Sequence, residues 1–358
     1  VNAASRALPE VAWFGALCDD DYEQLGVSDP TLASSWAHCR PIIEAADRNG
    51  YDAILLPSGY ELGIDATAFA AAAAPLTEHI RALVAVRMGE LVVPQLARQL
   101  ATLDQILGGR LLVNIISSDL PGETLASEPR YQRTLEIMGA LRTLLAGEPL
   151  AAHGDFVDLE LAPPRIATVT RRCPPFYFGG LSPAAKEVAA QAADVYLMWP
   201  DTVAATAEVV ADLRARAAAH DRELRFGFRV HVIVRETEGE ARDAARHLVA
   251  ALDDRTGAAI RSRSLDTASA GVARQGELRD DADDDGFVED HLWTGIGRAR
   301  SGAGAAIVGD PDQVRATLEA YRAVGIDAFI LSGYPHEREC DRFARLVLDD
   351  WPHAPLYG

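Results

Sequence analysis

Four cysteines in 358 residues are too few and too scattered for a disulfide framework. Cys18, Cys39, Cys173 and Cys340 show no metal-ligand spacing, so they read as reduced thiols of a cytoplasmic protein. The nine histidines show no His-x-His pairing either, which tells against a metal-dependent hydrolase. Cationic side chains are scarce: 34 Lys and Arg face 53 Asp and Glu, for a formal net charge of −19. Nucleic acid and anionic membrane surfaces both require clustered Lys and Arg, so neither is an expected partner. The alanine-rich run Ala66 to Ala74 is too short to span a bilayer. The first residues carry no basic segment followed by an apolar core, so no signal peptide is read. There is no internal repeat of 20–50 residues and no low-complexity tract; the acidic run Asp280 to Asp285 reads as a solvated loop.

What the chain has in plenty is apolar residues, 49% of the total, arranged in short runs that alternate with helical patterns. Val11–Ala16, Ala53–Pro57, Ala82–Arg87, Leu111–Ser117, Phe176–Gly180, Val195–Trp199, Phe226–Val234 and Ala328–Ser332 are eight strand candidates. Most are continuous, as expected of parallel strands buried on both faces. The clearest helix is Pro94 to Leu107, with Leu96, Leu100, Leu103 and Leu107 on one stripe and Gly108-Gly109 as the stop. Eight such strands with helices between them predict a (β/α)8 TIM barrel in one domain over 1–358. A doubly wound open sheet is the rival, and Leu17-Cys18-Asp19-Asp20 lacks the Gly-rich turn it would show after the first strand. Two insertions interrupt the pattern. Residues 147–174 read as a small hairpin around Phe156–Leu161. Residues 251–301, mobile over 261–286, read either as an active-site lid or as a disordered or oligomer-facing loop.

Chemistry in such barrels sits at the C-terminal ends of the strands. The seventh strand carries Arg229 and His231 on one face of an apolar run. Two buried cationic groups need a partner, either an acidic neighbour or an anionic ligand. Asn114 and Ser117, Trp199, and Ser332-Gly333-Tyr334-Pro335-His336 fall at other strand ends. Together these aromatic, cationic and amide groups suit a planar, polar, anionic ligand. Gly179-Gly180-Leu181-Ser182-Pro183 is either an ordinary capped turn or a phosphate cradle, with Ser182 as N-cap and Pro183 as first helical residue. Arg298 and Arg300 lie in a Gly-rich segment that either clamps an anion or stays in solvent.

Several segments carry a family resemblance. They are Ala97-Arg98-Gln99-Leu100-Ala101-Thr102-Leu103-Asp104 with Gly109-Arg110, Pro175 to Gly180, Arg225 to Glu236, Leu292-Trp293 through Gly304 to Asp310, and Leu331 to His336. From Trp13 to Asp349 the chain resembles the bacterial luciferase-like flavin monooxygenases, and among them the alkanesulfonate monooxygenases. The resemblance implies a TIM barrel that uses reduced FMN and O2 as co-substrates, the flavin being supplied by a separate NAD(P)H:flavin reductase. It maps flavin contacts onto Asn114, Tyr131, Gly180, Ser182 and Trp199, and sulfonate or catalytic positions onto Arg229, His231, Arg300, Tyr334 and His336. The implied reaction oxidises a small anionic sulfonate to sulfite and an aldehyde, in a homodimer or homotetramer. Two departures stand out: Tyr60-Glu61-Leu62-Gly63-Ile64-Asp65 lacks the family's cysteine, and Cys18 falls near a family histidine. Both border the substrate side. Three alternatives therefore stand: the same flavin and O2 chemistry on a non-sulfonate metabolite, a deazaflavin-dependent oxidoreductase in the same fold, or a flavin-binding protein without activity.

Overall fold

The computed structural model describes residues 7–59, 63–120, 122–123, 125–262 and 269–357. Its strands are β1 (Glu10–Phe14), β2 (Ala53–Leu56), β3 (Arg81–Arg87), β4 (Leu111–Ile116), β5 (Leu150–His153), β6 (Asp158–Leu161), β7 (Phe176–Phe178), β8 (Val195–Met198), β9 (Arg225–Val234), β10 (Phe287–Glu289), β11 (Leu292–Trp293), β12 (Ala306–Gly309) and β13 (Ala328–Ser332). Its helices are α1 (Trp36–Arg48), α2 (Ala66–Ala73), α3 (Val93–Ile106), α4 (Ser127–Leu145), α5 (Pro183–Ala192), α6 (Val203–Ala219), α7 (Glu238–Leu248), α8 (Asp254–Arg261), α9 (Ala270–Asp280), α10 (Pro311–Val324) and α11 (His336–Leu346).

Strands β1, β2, β3, β4, β7, β8, β9 and β13 pair in parallel in that order, and β13 returns to β1. This closed barrel with helices between its strands is the predicted (β/α)8 architecture. All eight expected strands form, with ends displaced by two residues at most. The side-chain period of two then divides each strand. Ala12, Phe14, Leu55, Leu83, Leu112, Tyr177, Val195 and Ile330 fill the barrel interior. Their neighbours Val11, Trp13, Ile54, Leu56, Val84, Val113, Phe176 and Phe178 pack outward in the large core shared with the helices. Trp13 therefore faces away from the mouth, and Phe14 supplies the aromatic ring at the end of β1.

Local chemistry explains the elements around the site. Helix α3 starts with Pro94 in its first turn and buries Leu96, Leu100 and Leu103; Gly108 and Gly109, at φ +64° and +85°, end it. Strand β9 is ten residues long because it serves different partners along its length. Gly227 to His231 pair with β13, and His231 to Val234 pair with β12. The 147–174 insertion holds the expected hairpin, β5 with β6, whose turn is tied to α4 by Glu136 accepting from the N–H groups of Asp155, Phe156 and Val157.

The 251–301 insertion differs from expectation. Instead of a mobile stretch over 261–286, α8 and α9 form, each with a capped N-terminus, Asp253 for one and Ser269 for the other. Residues 263–268 lie outside the described ones. Helix α9 buries only Gln275 and Leu278, so it has no apolar stripe to betray it. Strands β10, β11 and β12 then extend the barrel sheet outward from β9. Among the described residues, no helix is long and apolar enough to cross a membrane.

Candidate active site

A cavity of about 190 Å³ opens at the C-terminal end of the barrel, lined among others by Phe14, Leu55, Asn114, Trp199, Arg229 and Arg300. Arg229 comes from the inward face of β9 and is 3% exposed. Its guanidinium carbon lies 4.2 Å from the centroid of the Phe14 ring. Neither terminal nitrogen, Nη1 or Nη2, has a hydrogen-bond partner among the described residues. A cation–π contact offsets roughly 0.5–2 kcal/mol, less than the several kcal/mol that burying an unpaired charge costs. Burial, aided by the nearby Arg300 charge, pulls the Arg229 pKa down to about 9, so the side chain stays cationic at neutral pH. Of the two sequence readings, no carboxylate among the described residues bonds Arg229, although the Asp20 charge acts on it, and an anion is the fitting partner.

Two residues along β9, His231 is fully buried. Its Nδ1 lies 2.7 Å from the Ser332 hydroxyl of β13, and its Nε2 has no partner among the described residues. Burial, with Arg229, Arg300 and His336 adding like charge, holds its pKa well below the usual 6.5. His231 is thus a neutral imidazole. Its ring packs 5.1 Å from that of Tyr334.

Arg300 approaches from the insertion. Its Nη1 donates to Asp20 Oδ2 at 2.9 Å and to the Tyr334 hydroxyl at 2.8 Å. Burial opposes the charge, but Tyr334 and Asp20 outweigh it and the Arg300 pKa is raised. Burial lifts the Tyr334 phenol to about 12, which keeps its proton in place. Arg298 turns away instead, donating to the Leu252 carbonyl at 2.8 Å.

His336 opens α11 and is fully buried behind two rings, Phe14 at 6.0 Å and Tyr334 at 5.2 Å. Its Nδ1 meets Asp21 Oδ1 at 2.9 Å, while Nε2 has no partner among the described residues. Arg229, His231, Arg300, Tyr334 and His336 thus form one connected group. Only Arg229 and Arg300 of the five line this cavity; His231 and Tyr334 line a second one, and His336 lines neither.

The expected cofactor contacts divide in two. Asn114 and Trp199 line the cavity. Trp199 sits between Gly271 of α9 and Gly302, where added side chains would come within 3.0 and 3.3 Å of its ring. Tyr131, Gly180 and Ser182 gather instead at the start of α5. Ser182 caps that helix, its hydroxyl accepting from the Ala185 N–H, and Pro183 is the first helical residue. Gly180 has φ +145°, and a Cβ there would lie 2.7 Å from Ala185 Cβ and 3.3 Å from the Tyr131 hydroxyl. A flat aromatic lining beside an amide, with a glycine cradle at a helix N-terminus, fits a flavin ring and its phosphate. At about 190 Å³ the cavity is below the roughly 300–1,000 Å³ usual for ligand pockets.

Sequence reasoning placed Trp13 and Phe14 at the end of the first strand but did not single out Phe14 as the platform under both guanidinium groups, at 4.2 Å from Arg229 and 5.6 Å from Arg300. It also missed the partners that Asp20 and Asp21 find. The available signal was a run of carboxylates directly after the first barrel strand. The two segments that depart from the family pattern touch each other, the Ile64 N–H donating to the Leu17 carbonyl at 3.0 Å. Tyr60, Glu61 and Leu62 lie outside the described residues. Cys18 borders the same region, its thiol pushed up to about 12 by burial and the Asp20 charge.

The family profile of the luciferase-like monooxygenases matches residues 20–328. Over 354 residues the chain is 63% identical to a sulfoquinovose monooxygenase of Novosphingobium aromaticivorans, covering 97% of this chain and 98% of that protein. It is 47% identical over 366 residues to a sulfoquinovose monooxygenase of Agrobacterium fabrum, covering 100% and 94%. Among solved structures, a riboflavin lyase with modified FMN and its substrate riboflavin superimposes with a TM-score of 0.79, over 96% of this chain and 91% of that one. At 15% identity that likeness speaks for the fold alone.

Proposed function

The chain belongs to the luciferase-like monooxygenase family, and from that premise we propose that this monooxygenase uses reduced FMN and O2 to break the C–S bond of a small organosulfonate. Sulfoquinovose, the substrate in the names of two relatives, is the first candidate. The carbon that carries the sulfonate becomes an aldehyde and the sulfonate leaves as sulfite. One oxygen atom of O2 enters the aldehyde and the other leaves as water. A separate NAD(P)H:flavin reductase supplies the reduced flavin, and the working assembly is a homodimer or homotetramer.

One observation carries the reading: Arg229 is a buried cation whose two terminal nitrogens have no partner among the described residues. A sulfonate presents oxygens that accept from both in fork geometry. The bound flavin supplies two electrons to O2. The chain supplies the surroundings. Arg229 and Arg300 hold the anion, and Phe14 keeps both guanidinium groups in register beneath it. The protonated Tyr334 phenol accepts from Arg300, and neutral His231 packs against its ring, so both act on the anion through the placement of Arg300. Asn114 and Trp199 would hold the ring, and Tyr131, Gly180 and Ser182 the phosphate.

The test supplies purified enzyme with FMN, NADH and a flavin reductase, and compares sulfoquinovose with a panel of simple alkanesulfonates. Sulfite and an aldehyde released in equal amounts, only with reduced FMN and O2, are expected. Mass spectrometry runs alongside to catch a non-sulfonate product. Turnover without O2 on a reduced deazaflavin, with no sulfite from any sulfonate, would overturn the reading.

A further inference from the structure

Asp21 lies in the turn after β1 and is 6% exposed. It binds two histidines from distant parts of the chain. Its Oδ1 lies 2.9 Å from Nδ1 of His336, at the start of α11. Its Oδ2 lies 2.9 Å from Nε2 of His38, in the first turn of α1. The His336 backbone N–H also donates to Oδ1 at 3.0 Å and to Oδ2 at 3.2 Å. The outcome is a chain of hydrogen bonds with a burial gradient. The His38 side chain is 11% exposed, and those of Asp21 and His336 are fully enclosed. At its inner end, His336 Nε2 has no partner among the described residues.

A carboxylate can only accept, so it fixes the neutral His336 ring as the Nδ1–H tautomer and leaves the Nε2 lone pair free. We propose that Asp21 and His38 are positioning residues for His336: Asp21 sets which nitrogen of His336 accepts a proton, and the charge on His38 sets how strongly it does so. This rests on the reading of His336 as part of the oxygenation site. When His38 is protonated, it neutralises Asp21 and His336 is a weaker base. When His38 is neutral, the full carboxylate charge acts on His336. The site thereby senses bulk pH through a side chain at the edge of the fold.

The charged groups around the relay are consistent with this. His38 is faced by Asp21, by Asp19 of the same turn, and by Glu337 of α11. Asp21 is faced by His336 and His38, with Arg338 of α11 close enough to feel its charge. The hydrogen bond that His38 donates to Asp21 raises the His38 pKa above the usual 6.5. The plain structural alternative is that Asp21 merely caps α11, whose Pro335 offers no side-chain cap. A cap needs neither Nδ1 of His336 nor His38.

His38→Gln tests the proposal, because it keeps an N–H donor for Asp21 but cannot carry charge. Histidine ¹⁵N resonances are recorded in the holoenzyme across pH 5–9, together with kcat and KM for the sulfonate. The expected wild-type spectrum shows His336 protonated at Nδ1 when neutral. In His38→Gln, the acid limb of the kcat profile should move up in pH, with kcat on that limb lower by up to about tenfold. KM and melting temperature should hardly change. Superimposable kcat profiles, or neutral His336 protonated at Nε2, with His336→Ala still inactive, would overturn the proposal and leave the site reading standing. Full activity with a wild-type profile in His336→Ala would instead remove the site reading, and this inference with it.

Discussion

Arg229 is the residue at which function and stability pull apart. Its guanidinium is buried, charged and, among the described residues, without a partner at either terminal nitrogen, so the empty protein carries a cost that ligand binding relieves. Arg229→Met removes the charge and keeps most of the packing over Phe14. We expect it to stabilise the ligand-free protein by roughly 1–3 kcal/mol, a rise of roughly 2–6 °C in melting temperature. The same change should lower kcat/KM for the sulfonate by about 100-fold or more. Calorimetry and sulfite release measure the two effects. A fall in melting temperature would mean that the guanidinium is already satisfied inside the fold. His231 gives a second residue-level prediction. Its folded pKa lies well below the ordinary 6.5, so below pH 6.5 the unfolded chain binds a proton that the folded chain refuses. Stability therefore falls as pH drops through that window, by at most about 1.4 kcal/mol per pH unit from this one group. His231→Gln should flatten the slope of unfolding free energy between pH 6.5 and 5; an unchanged slope would show that the imidazole is not held neutral.

Among the elements, α5 is where backbone conformation and cofactor binding meet. Gly180 sits at φ +145°, where an L side chain is strained, and the space a Cβ would need is held by Ala185 Cβ at 2.7 Å. Gly180→Ala should cost roughly 1–3 kcal/mol of stability and displace the Tyr131 and Ser182 cluster. Flavin fluorescence titration should show FMN binding weakened by at least about tenfold. Loss of stability with unaltered affinity would detach this turn from the phosphate. The start of α5 was legible because Ser-Pro after Gly-Gly is a local cap signal, and the eight barrel strands were legible because strands buried on both faces write continuous apolar runs. Arg229 and His231 stood out as charges interrupting such a run. Other elements left no comparable trace. Helix α9 buries two residues, and β12 is four residues long and held by β9 and β11. Asp21 and His336 are 315 positions apart, and only closure of the barrel between β13 and β1 makes them neighbours.

At the scale of the whole barrel, the two ends treat buried polar groups in opposite ways. At the N-terminal end they are paired. Glu10 accepts from the Tyr177 hydroxyl at 2.6 Å and from the Leu356 N–H at 3.1 Å. Asp52 accepts from the Val11 N–H at 2.8 Å and faces His353 Nδ1 at 2.9 Å. The C-terminal segment supplies half of these partners, and Leu356 and Tyr357 close the interior cluster from below. At the other end Arg229, His231 and His336 all keep nitrogens without a partner among the described residues. Saturated contacts belong to stability and open ones to ligands, so the ends should respond separately to damage. Truncation after His353 removes the plug and leaves Glu10 short of a donor, with roughly 2–4 kcal/mol of burial and hydrogen bonding lost. We expect the melting temperature to fall by roughly 3–8 °C, while kcat and KM measured well below it stay within about twofold of the intact chain. A large change in kcat at low temperature would mean that the plug reaches the mouth through the interior cluster that Leu356 and Tyr357 share with Phe14, and that the barrel interior transmits strain rather than isolating the chemistry.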